Sequence, residues 1–184
     1  MIDKNDAKNY NLKYNNTFYF DTIFSESSIE QNDIVFVGRN KHRKEKLMDL
    51  KNQFKKSGFK SLFHIVPNRN EQNPEKVQEL SYKEYLKLIT GSKAILDIMP
   101  PSQVGLTLRP MESIFLNLKI ITDNPHIADE PFYNPKNVFI LGVDEEENLQ
   151  AFLDLPFAPI ESENLKKYDF DNWMERILTN KEFE

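Results

Sequence analysis

Cysteine is absent from this chain, and histidine occurs only three times. The absence of cysteine excludes disulfide bonds, thiolate catalysis and zinc sites built on cysteine. His42, His64 and His126 lie far apart along the chain and do not match the spacing of metal ligands. The sequence therefore predicts no metal site, and we expect no cofactor.

Long apolar runs are also missing. The first residues, MIDKNDAKNYNLKYNN, lack the apolar core of a signal peptide. No uninterrupted apolar run approaches the roughly 18 residues that a membrane span needs. We therefore expect no transmembrane segment and a cytoplasmic location, with peripheral association at the inner face of the membrane left open.

Basic residues are outnumbered by acidic ones, since 24 Lys and Arg stand against 29 Asp and Glu for a net charge of -5. Affinity for the phosphate backbone of nucleic acids comes from an excess of Lys and Arg. We therefore expect no nucleic-acid partner, and the cations can act only where a few of them converge.

Glycine is scarce, with five in the whole chain. A P-loop needs a glycine-rich run that ends in Gly-Lys-Ser/Thr, and the dinucleotide fingerprint needs Gly-x-Gly-x-x-Gly. Neither motif occurs. This argues against a mononucleotide kinase and against an NAD-dependent dehydrogenase.

What the sequence does contain is an alternation of short apolar runs with amphipathic segments. DIVFVG and AILDIM are typical of strands buried on both faces of a parallel sheet. The pattern predicts an α/β fold, a Rossmann-like three-layer sandwich with a mostly parallel sheet of five or six strands. Strands are expected at 33–38, 61–67, 94–99, 119–122 and 137–141, with 76–80 favoured as a further short strand over a helix start.

Helices are expected in the intervening segments. Ser81 and Glu84 form a capping box at the start of one of them. Tyr82 and Tyr85 then begin the stripe that this helix should bury. The other helices are predicted at 43–58, from near 107 to 118, at 147–153 and at roughly 169–179.

Residues 1–32 differ from the rest of the chain. They are rich in Asn, Asp and Lys, carry the aromatic island Phe18-Tyr19-Phe20 and show no sustained period. We expect a lead-in segment, 1–32, that docks on a Rossmann-like domain, 33–184, which ends in a C-terminal helix.

Two junctions between a strand and a helix carry residues suited to anion binding. In an open parallel sheet, the ligand crevice lies beyond the carboxyl ends of the strands, where the strand order switches. After the first strand of the domain, Gly38 would let a ligand approach the backbone and Arg39 could clamp a diphosphate. Lys41 and Arg43 follow, and for them the first turn of a solvated helix is an equally good interpretation.

The second junction is QVGLTLRPMES, residues 103–113. Proline is tolerated in a helix only in the first turn, so Pro110 predicts a helix start near Thr107. The amides of Gly105 to Leu108 would then face a phosphate. Thr107 would cap the helix or bond a phosphate oxygen, and Arg109 would add a charge-assisted fork.

Three further polar residues belong to the same predicted crevice. Glu112 follows one turn into the helix, and a carboxylate beside a phosphate is best matched by two neutral hydroxyls, as on a ribose; a solvated helical glutamate is the alternative. Asn124 lies past the next strand and could line the crevice or simply belong to a surface loop. Asp97 is interpreted as a cap of the turn that follows its strand rather than as a general base.

These motifs together resemble a known family. FVGR after the first strand, the motif Gln103-x-Gly-Leu-Thr-x-Arg-x-x-Glu112 and the run IITDN that ends at Asn124 are similar to the C-terminal nucleotide-sugar domain of GT-B glycosyltransferases. The likeness is greatest to bacterial proteins of lipopolysaccharide or capsular polysaccharide biosynthesis. It covers roughly residues 33–155.

The resemblance implies a site for a nucleoside-diphosphate sugar. Gly105 and Thr107 would cradle the diphosphate, Glu112 would bind the ribose, and Arg39 would take the role of the arginine after the first strand. The family's paired-glutamate form is incomplete, because Gly105 stands seven residues before Glu112. The residues expected to bind the substrate are Gly38, Arg39, Gln103, Gly105, Leu106, Thr107, Arg109, Glu112 and Asn124.

The resemblance also implies a division of labour. GT-B enzymes have two facing domains, and the N-terminal one binds the acceptor and commonly supplies the catalytic base. This chain would then be the donor-binding half of a metal-independent transferase with little or no turnover alone. Residues 1–32 would lead in from an absent domain that binds a glycan or lipid-linked acceptor. No catalytic residue is predicted.

Two other classes of function stay open. A non-catalytic α/β interaction module of the receiver type would need acidic residues after the first strand, where VGRNKHR is basic. A small nucleotide-sugar hydrolase or epimerase would need a base within this chain.

Overall fold

The computed structural model describes residues 4–12, 14–23, 32–69, 71–72, 76–101, 103 and 105–179. Within them lies one five-stranded sheet, all parallel, in the order β2-β1-β3-β4-β5. The Rossmann-like α/β fold predicted from the sequence is thereby confirmed. The strands are β1 Asn32–Arg39, β2 Ser61–Val66, β3 Ser92–Asp97, β4 Lys119–Thr122 and β5 Val138–Ile140.

Seven α-helices occur in the described part of the chain, with two 3₁₀ turns at 125–129 and 146–148. None of these helices has the length and apolarity that crossing a bilayer requires. The helices are α1 Lys4–Asn9, α2 Lys44–Lys56, α3 Tyr82–Thr90, α4 Arg109–Phe115, α5 Leu149–Asp154, α6 Ser162–Lys166 and α7 Phe170–Thr179.

The central strands are buried on both faces, as their unbroken apolar sequence predicts. In β1, Ile34 and Phe36 pack with α2 and α5 on one face of the sheet. The alternating residues Val35 and Val37 pack with α3 on the other face. This alternation gives three layers. Because all five strands are parallel, their carboxyl ends lie at one edge of the sheet.

Two helix starts illustrate how local chemistry sets the boundaries. The capping box of α3 is present, since Ser81 Oγ accepts from Glu84 N–H and Ser81 N–H donates to Glu84 Oε2. Helix α4 begins at Arg109 rather than near Thr107, although Pro110 lies in its first turn as expected. The Thr107 hydroxyl accepts from the Arg109 N–H at 3.2 Å, which closes a turn before the helix.

The predicted strand at 76–80 is wrong, because these residues adopt no regular structure. The segment runs past β2 and contacts it through a side chain, since the His64 ring donates from Nε2 to the carbonyl of Gln78 at 2.8 Å. Glu79 is instead ion-paired with Arg39. Side-chain contacts of this kind hold the segment without a ladder of backbone hydrogen bonds.

Residues 14–23 of the lead-in segment pack against the C-terminal helix. Trp173 Nε1 donates to the carbonyl of Asn16 at 2.7 Å, and its ring lies 4.4 Å from that of Phe18. Tyr19 is 2% exposed, and its N–H donates to the carbonyl of Tyr168 at 2.9 Å. This part of the lead-in segment therefore belongs to the packed body of the domain.

Candidate functional site

A pocket of about 400 Å³ opens at the carboxyl edge of the sheet. From β1 the chain continues to β2 on one side of β1, and from β2 it crosses to β3 on the other side. The strand order therefore switches between β1 and β3. The pocket lies at this switch point, where ligands of open α/β sheets bind. Of the sequence-predicted residues, its wall contains Gln103, Leu106, Thr107, Arg109 and Glu112.

Asp97 organises one side of this pocket from the end of β3. Its carboxylate is 1% exposed and accepts from Thr107 Oγ1 at 3.0 Å and from Arg109 Nη1 at 3.2 Å. Burial raises the pKa of Asp97, while the charge of Arg109 and the hydrogen bond from Thr107 oppose that rise. Asp97 therefore holds two pocket residues in place and does not merely cap a turn.

Arg109 is held at three points. Besides its bond to Asp97, Nη2 donates to the carbonyl of Val37 at 2.7 Å, and the guanidinium lies 5.1 Å above the centre of the Phe36 ring. A Cβ atom on Gly38 would approach Arg109 Nη2 to 2.7 Å. Gly38 therefore makes room for an arginine of the protein itself, whereas the sequence suggested room for a ligand.

Arg43 is the second cation of the pocket, and it is 5% exposed. Its guanidinium lies 5.2 Å from the centre of the same Phe36 ring, and Nη2 donates to the carbonyl of Arg39 at 3.3 Å. Nε and Nη1 are buried and have no hydrogen-bond partner among the described residues. Within those residues, Arg43 also has no ion pair with a carboxylate, in contrast to Arg109.

The two guanidiniums share one aromatic ring and repel each other. Burial, followed by the charge of Arg109, lowers the pKa of Arg43 from 12.5 to about 10. The nearby charges of Asp97 and Asp123 oppose this without forming a contact to Arg43. The pocket thus has an excess of positive charge and N–H donors that the described protein atoms do not satisfy.

Glu112 also belongs to the pocket wall and is 2% exposed, so it is not a solvated helical residue. Its Oε2 accepts a short hydrogen bond from Tyr85 Oη, and its Oε1 accepts from Tyr82 Oη at 3.2 Å. Burial raises the pKa of Glu112, while the bond from Tyr85, the charge of Arg109 and the bond from Tyr82 oppose the rise.

The tyrosines that bind Glu112 belong to α3. Tyr85 is partly buried in that helix's stripe, but Tyr82 is 43% exposed, and its ring forms part of the pocket wall. The two rings stack at 5.7 Å. The stripe prediction is therefore wrong for Tyr82, because its hydroxyl reaches a carboxylate at the pocket and keeps the ring at the edge of the core.

The other predicted residues lie near the pocket but not in its described wall. Arg39 donates from Nη1 to the carbonyl of Pro67 at 2.7 Å and is ion-paired with Glu79. Asn124 is buried, and its Oδ1 caps the 3₁₀ turn by accepting from His126 N–H at 3.1 Å. Both side chains are thus engaged in local structure.

Gly105 and the next three residues carry N–H groups with no acceptor in the described part of the chain. They precede a helix of only seven residues, so they act as separate donors and not as the end of a long dipole. No cluster of three or more His, Cys, Asp or Glu side chains suited to a metal ion occurs among the described residues.

From the sequence, Arg43 was as well explained by the first turn of a solvated helix as by anion binding. Tyr82 and Tyr85 of α3 were both assigned to the buried stripe of their helix. No local signal marks Arg43, because the Phe36 ring that supports it and the Arg109 that faces it come from other elements. For Tyr82 and Tyr85, the sequence pattern that could have indicated their role is the presence of two phenols in one predicted helix, which are able to donate to a carboxylate such as that of Glu112.

Comparison with protein-family models yields no match for this chain, and comparison with curated proteins yields none either.

Proposed function

We propose that this chain is the donor-binding domain of a GT-B-type glycosyltransferase of bacterial surface polysaccharide synthesis, and that its pocket binds a nucleoside-diphosphate sugar. The observation that carries the proposal is the buried guanidinium of Arg43. Arg43 lines the pocket at the switch point, and its buried Nε and Nη1 have no hydrogen-bond partner in the described structure. Buried donors of this kind require an acceptor, and a bound anion supplies one.

A diphosphate fits the donors that converge on this pocket. Arg43 offers Nε and Nη1, and Arg109 offers a buried Nε that also has no described partner. The N–H groups of Leu106, Thr107 and Leu108 add neutral donors on the same wall. Because Asp97 and Val37 already hold the two ends of the Arg109 fork, Arg43 is the more important phosphate ligand, ahead of Arg39.

A ribose fits the opposite wall. An ionised carboxylate has about four lone-pair sites. Tyr82 and Tyr85 use one on each oxygen of Glu112. One site on each oxygen is left, which suits the two neighbouring hydroxyls of a ribose. The exposed ring of Tyr82 offers an apolar surface beside them.

The same geometry supports a binding role for this chain by itself. Glu112 is the carboxylate of the described pocket wall, and two phenols already bind it. A base for transfer to an acceptor would therefore come from a facing domain, together with the glycan or lipid-linked acceptor. The leaving diphosphate would be stabilised by Arg43, Arg109 and the neutral amides.

Calorimetric titration with UDP, GDP, ADP, CMP and inorganic pyrophosphate tests the proposal. We expect weak binding of at least one nucleoside diphosphate and of pyrophosphate, both lost in Arg43→Met and retained in Arg39→Met. Arg39 is the matched control, because it is an arginine at the end of β1, four residues before Arg43, but lies outside the described wall. The proposal fails if no compound binds at millimolar concentration, or if Arg43→Met binds them as the wild type does.

A further inference from the structure

A chain of hydroxyl groups connects the lead-in segment to the pocket. Tyr19 Oη lies 2.6 Å from Tyr82 Oη, and Tyr82 Oη lies 3.2 Å from Glu112 Oε1. Tyr19 itself is 2% exposed and does not belong to the pocket wall. A buried residue of the N-terminal segment thereby contacts the carboxylate of the site through one intervening phenol.

The direction of the hydrogen bonds from Tyr19 to Glu112 follows from the number of protons available. An ionised carboxylate only accepts hydrogen bonds, so Tyr82 donates its single hydroxyl proton to Glu112. Tyr82 has no second proton for Tyr19, and Tyr19 must therefore donate to Tyr82. If Glu112 took up a proton and donated it to Tyr82, the order of the chain would have to reverse.

We propose that Tyr19 is a positioning residue for Glu112, which it orients and keeps ionised for the hydroxyls of a ribose by donating to Tyr82. The identity of the ligand rests on the proposed function. The hydrogen bonds that link Tyr19, Tyr82 and Glu112 do not depend on it. Successive hydrogen bonds polarise one another, so a phenol that accepts from Tyr19 is a stronger donor to the carboxylate.

The backbone holds Tyr19 firmly enough for this role. Its N–H donates to the carbonyl of Tyr168, it forms a parallel bridge with Asp169, and its ring lies 5.4 Å from that of Phe115. Burial raises the pKa of Tyr19 to about 12, so its hydroxyl keeps its proton under ordinary conditions.

Several other groups act on Glu112, and the test has to hold them constant. They come from every element packed around the carboxylate, and Tyr19→Phe leaves all of them in place. They are Tyr82 and Tyr85 from α3, Arg109 from α4 and Asp97 from β3, while Lys41 and Arg43 from the loop after β1 line the same pocket.

The first measurement is a carbon-13 NMR titration of the glutamate carboxyl groups in the free, full chain. We expect Tyr19→Phe to raise the pKa of Glu112, and Tyr82→Phe, which removes the direct bond, to raise it further. Tyr133→Phe is the matched control, because Tyr133 packs on the same apolar cluster as Tyr19 and its hydroxyl bonds no described residue.

The second measurement compares affinities for a nucleoside diphosphate, for its 2′-deoxy form and for inorganic pyrophosphate. Tyr19→Phe should lower the preference for the ribose form about twofold, on the strengthening expected for one linked hydrogen bond. Its pyrophosphate affinity should match the wild type, because Arg43 and Arg109 are unchanged.

The outcomes separate the two proposals. A Glu112 pKa that is the same in Tyr19→Phe, Tyr133→Phe and the wild type would overturn the positioning role. So would a loss of pyrophosphate affinity with the ribose preference intact, since that indicates a merely structural effect. A raised Glu112 pKa in a protein that binds no nucleotide would support the hydroxyl chain and refute the proposed function.

Discussion

Replacing Arg43 by methionine removes the one guanidinium of the described pocket that has no carboxylate partner. Methionine keeps an unbranched apolar stem against the Phe36 ring and introduces no donor. The change therefore isolates the charge and its N–H groups. If Arg43 exists to bind a ligand, the folded protein should tolerate its loss.

The structure sets the magnitude. The fall in the pKa of Arg43 from 12.5 to about 10 corresponds to roughly 3 kcal/mol acting against the buried charge. The variant escapes this but loses the hydrogen bond to the Arg39 carbonyl, worth ~1.5–3 kcal/mol, and the contact with the Phe36 ring, worth ~0.5–2 kcal/mol. These terms nearly cancel. We expect the free energy of unfolding to stay within about 2 kcal/mol of the wild type.

Arg109→Met is the contrasting variant. It leaves the Asp97 carboxylate buried without its cation and the Val37 carbonyl without its donor. Breaking a buried pair in this way costs about 3–5 kcal/mol. Two arginines on one ring should therefore differ sharply in their effect on stability, although both line the pocket.

Urea denaturation followed by circular dichroism measures the unfolding free energy, and calorimetry with pyrophosphate measures affinity. Arg43→Met should weaken pyrophosphate binding by about 10- to 100-fold, the equivalent of one charge-assisted hydrogen-bond pair. A loss of more than about 3 kcal/mol of stability in Arg43→Met would refute the reasoning, since it would make Arg43 a structural residue. Unchanged pyrophosphate affinity would refute it equally.

Three further predictions concern other contacts of the site and the lead-in segment. Burial raises the pKa of Glu112, so its contribution to stability is present at acid pH and is lost as pH rises through the folded pKa. The melting temperature of Glu112→Gln relative to that of the wild type should therefore rise between about pH 4 and pH 8. A constant difference in melting temperature would contradict this. Thr107→Val should lower the free energy of unfolding by about 1–3 kcal/mol in urea, because the Asp97 carboxylate loses a donor, and an unchanged denaturation midpoint would argue against that bond. Trp173→Phe should cost about 1 kcal/mol and speed proteolysis of the lead-in segment, because the Asn16 carbonyl loses its donor; cleavage at the wild-type rate would rule this out.

Much of the fold was predictable because its signals are local. The apolar run of β1 is buried on both faces, and the capping box at Ser81 is present where the residues indicated it. The segment 76–80, for which a short strand was favoured over a helix start, forms no strand, because strand formation depends on whether a neighbouring edge takes up its backbone bonds. That information is not contained in five residues.

The candidate site was only partly predictable. The motif from Gln103 to Glu112 contributes to the pocket wall, as its residue types indicated. The sequence favoured Arg39 over Arg43 as an anion ligand, yet Arg39 is ion-paired with Glu79 and Arg43 is buried without a carboxylate. Their different roles depend on which side chains the rest of the fold brings beside them.

The sequence by itself determined the order of strands and helices and the edge of the sheet at which its polar residues collect, because periodicity, caps and chain direction are properties of neighbouring residues. Only the tertiary structure decided which guanidinium of the described pocket lacks a carboxylate partner and that Tyr19 reaches Glu112 through Tyr82. Burial and hydrogen-bond satisfaction are properties of groups distant in sequence, and they exist only once β1, α3, α4 and the lead-in segment are packed together.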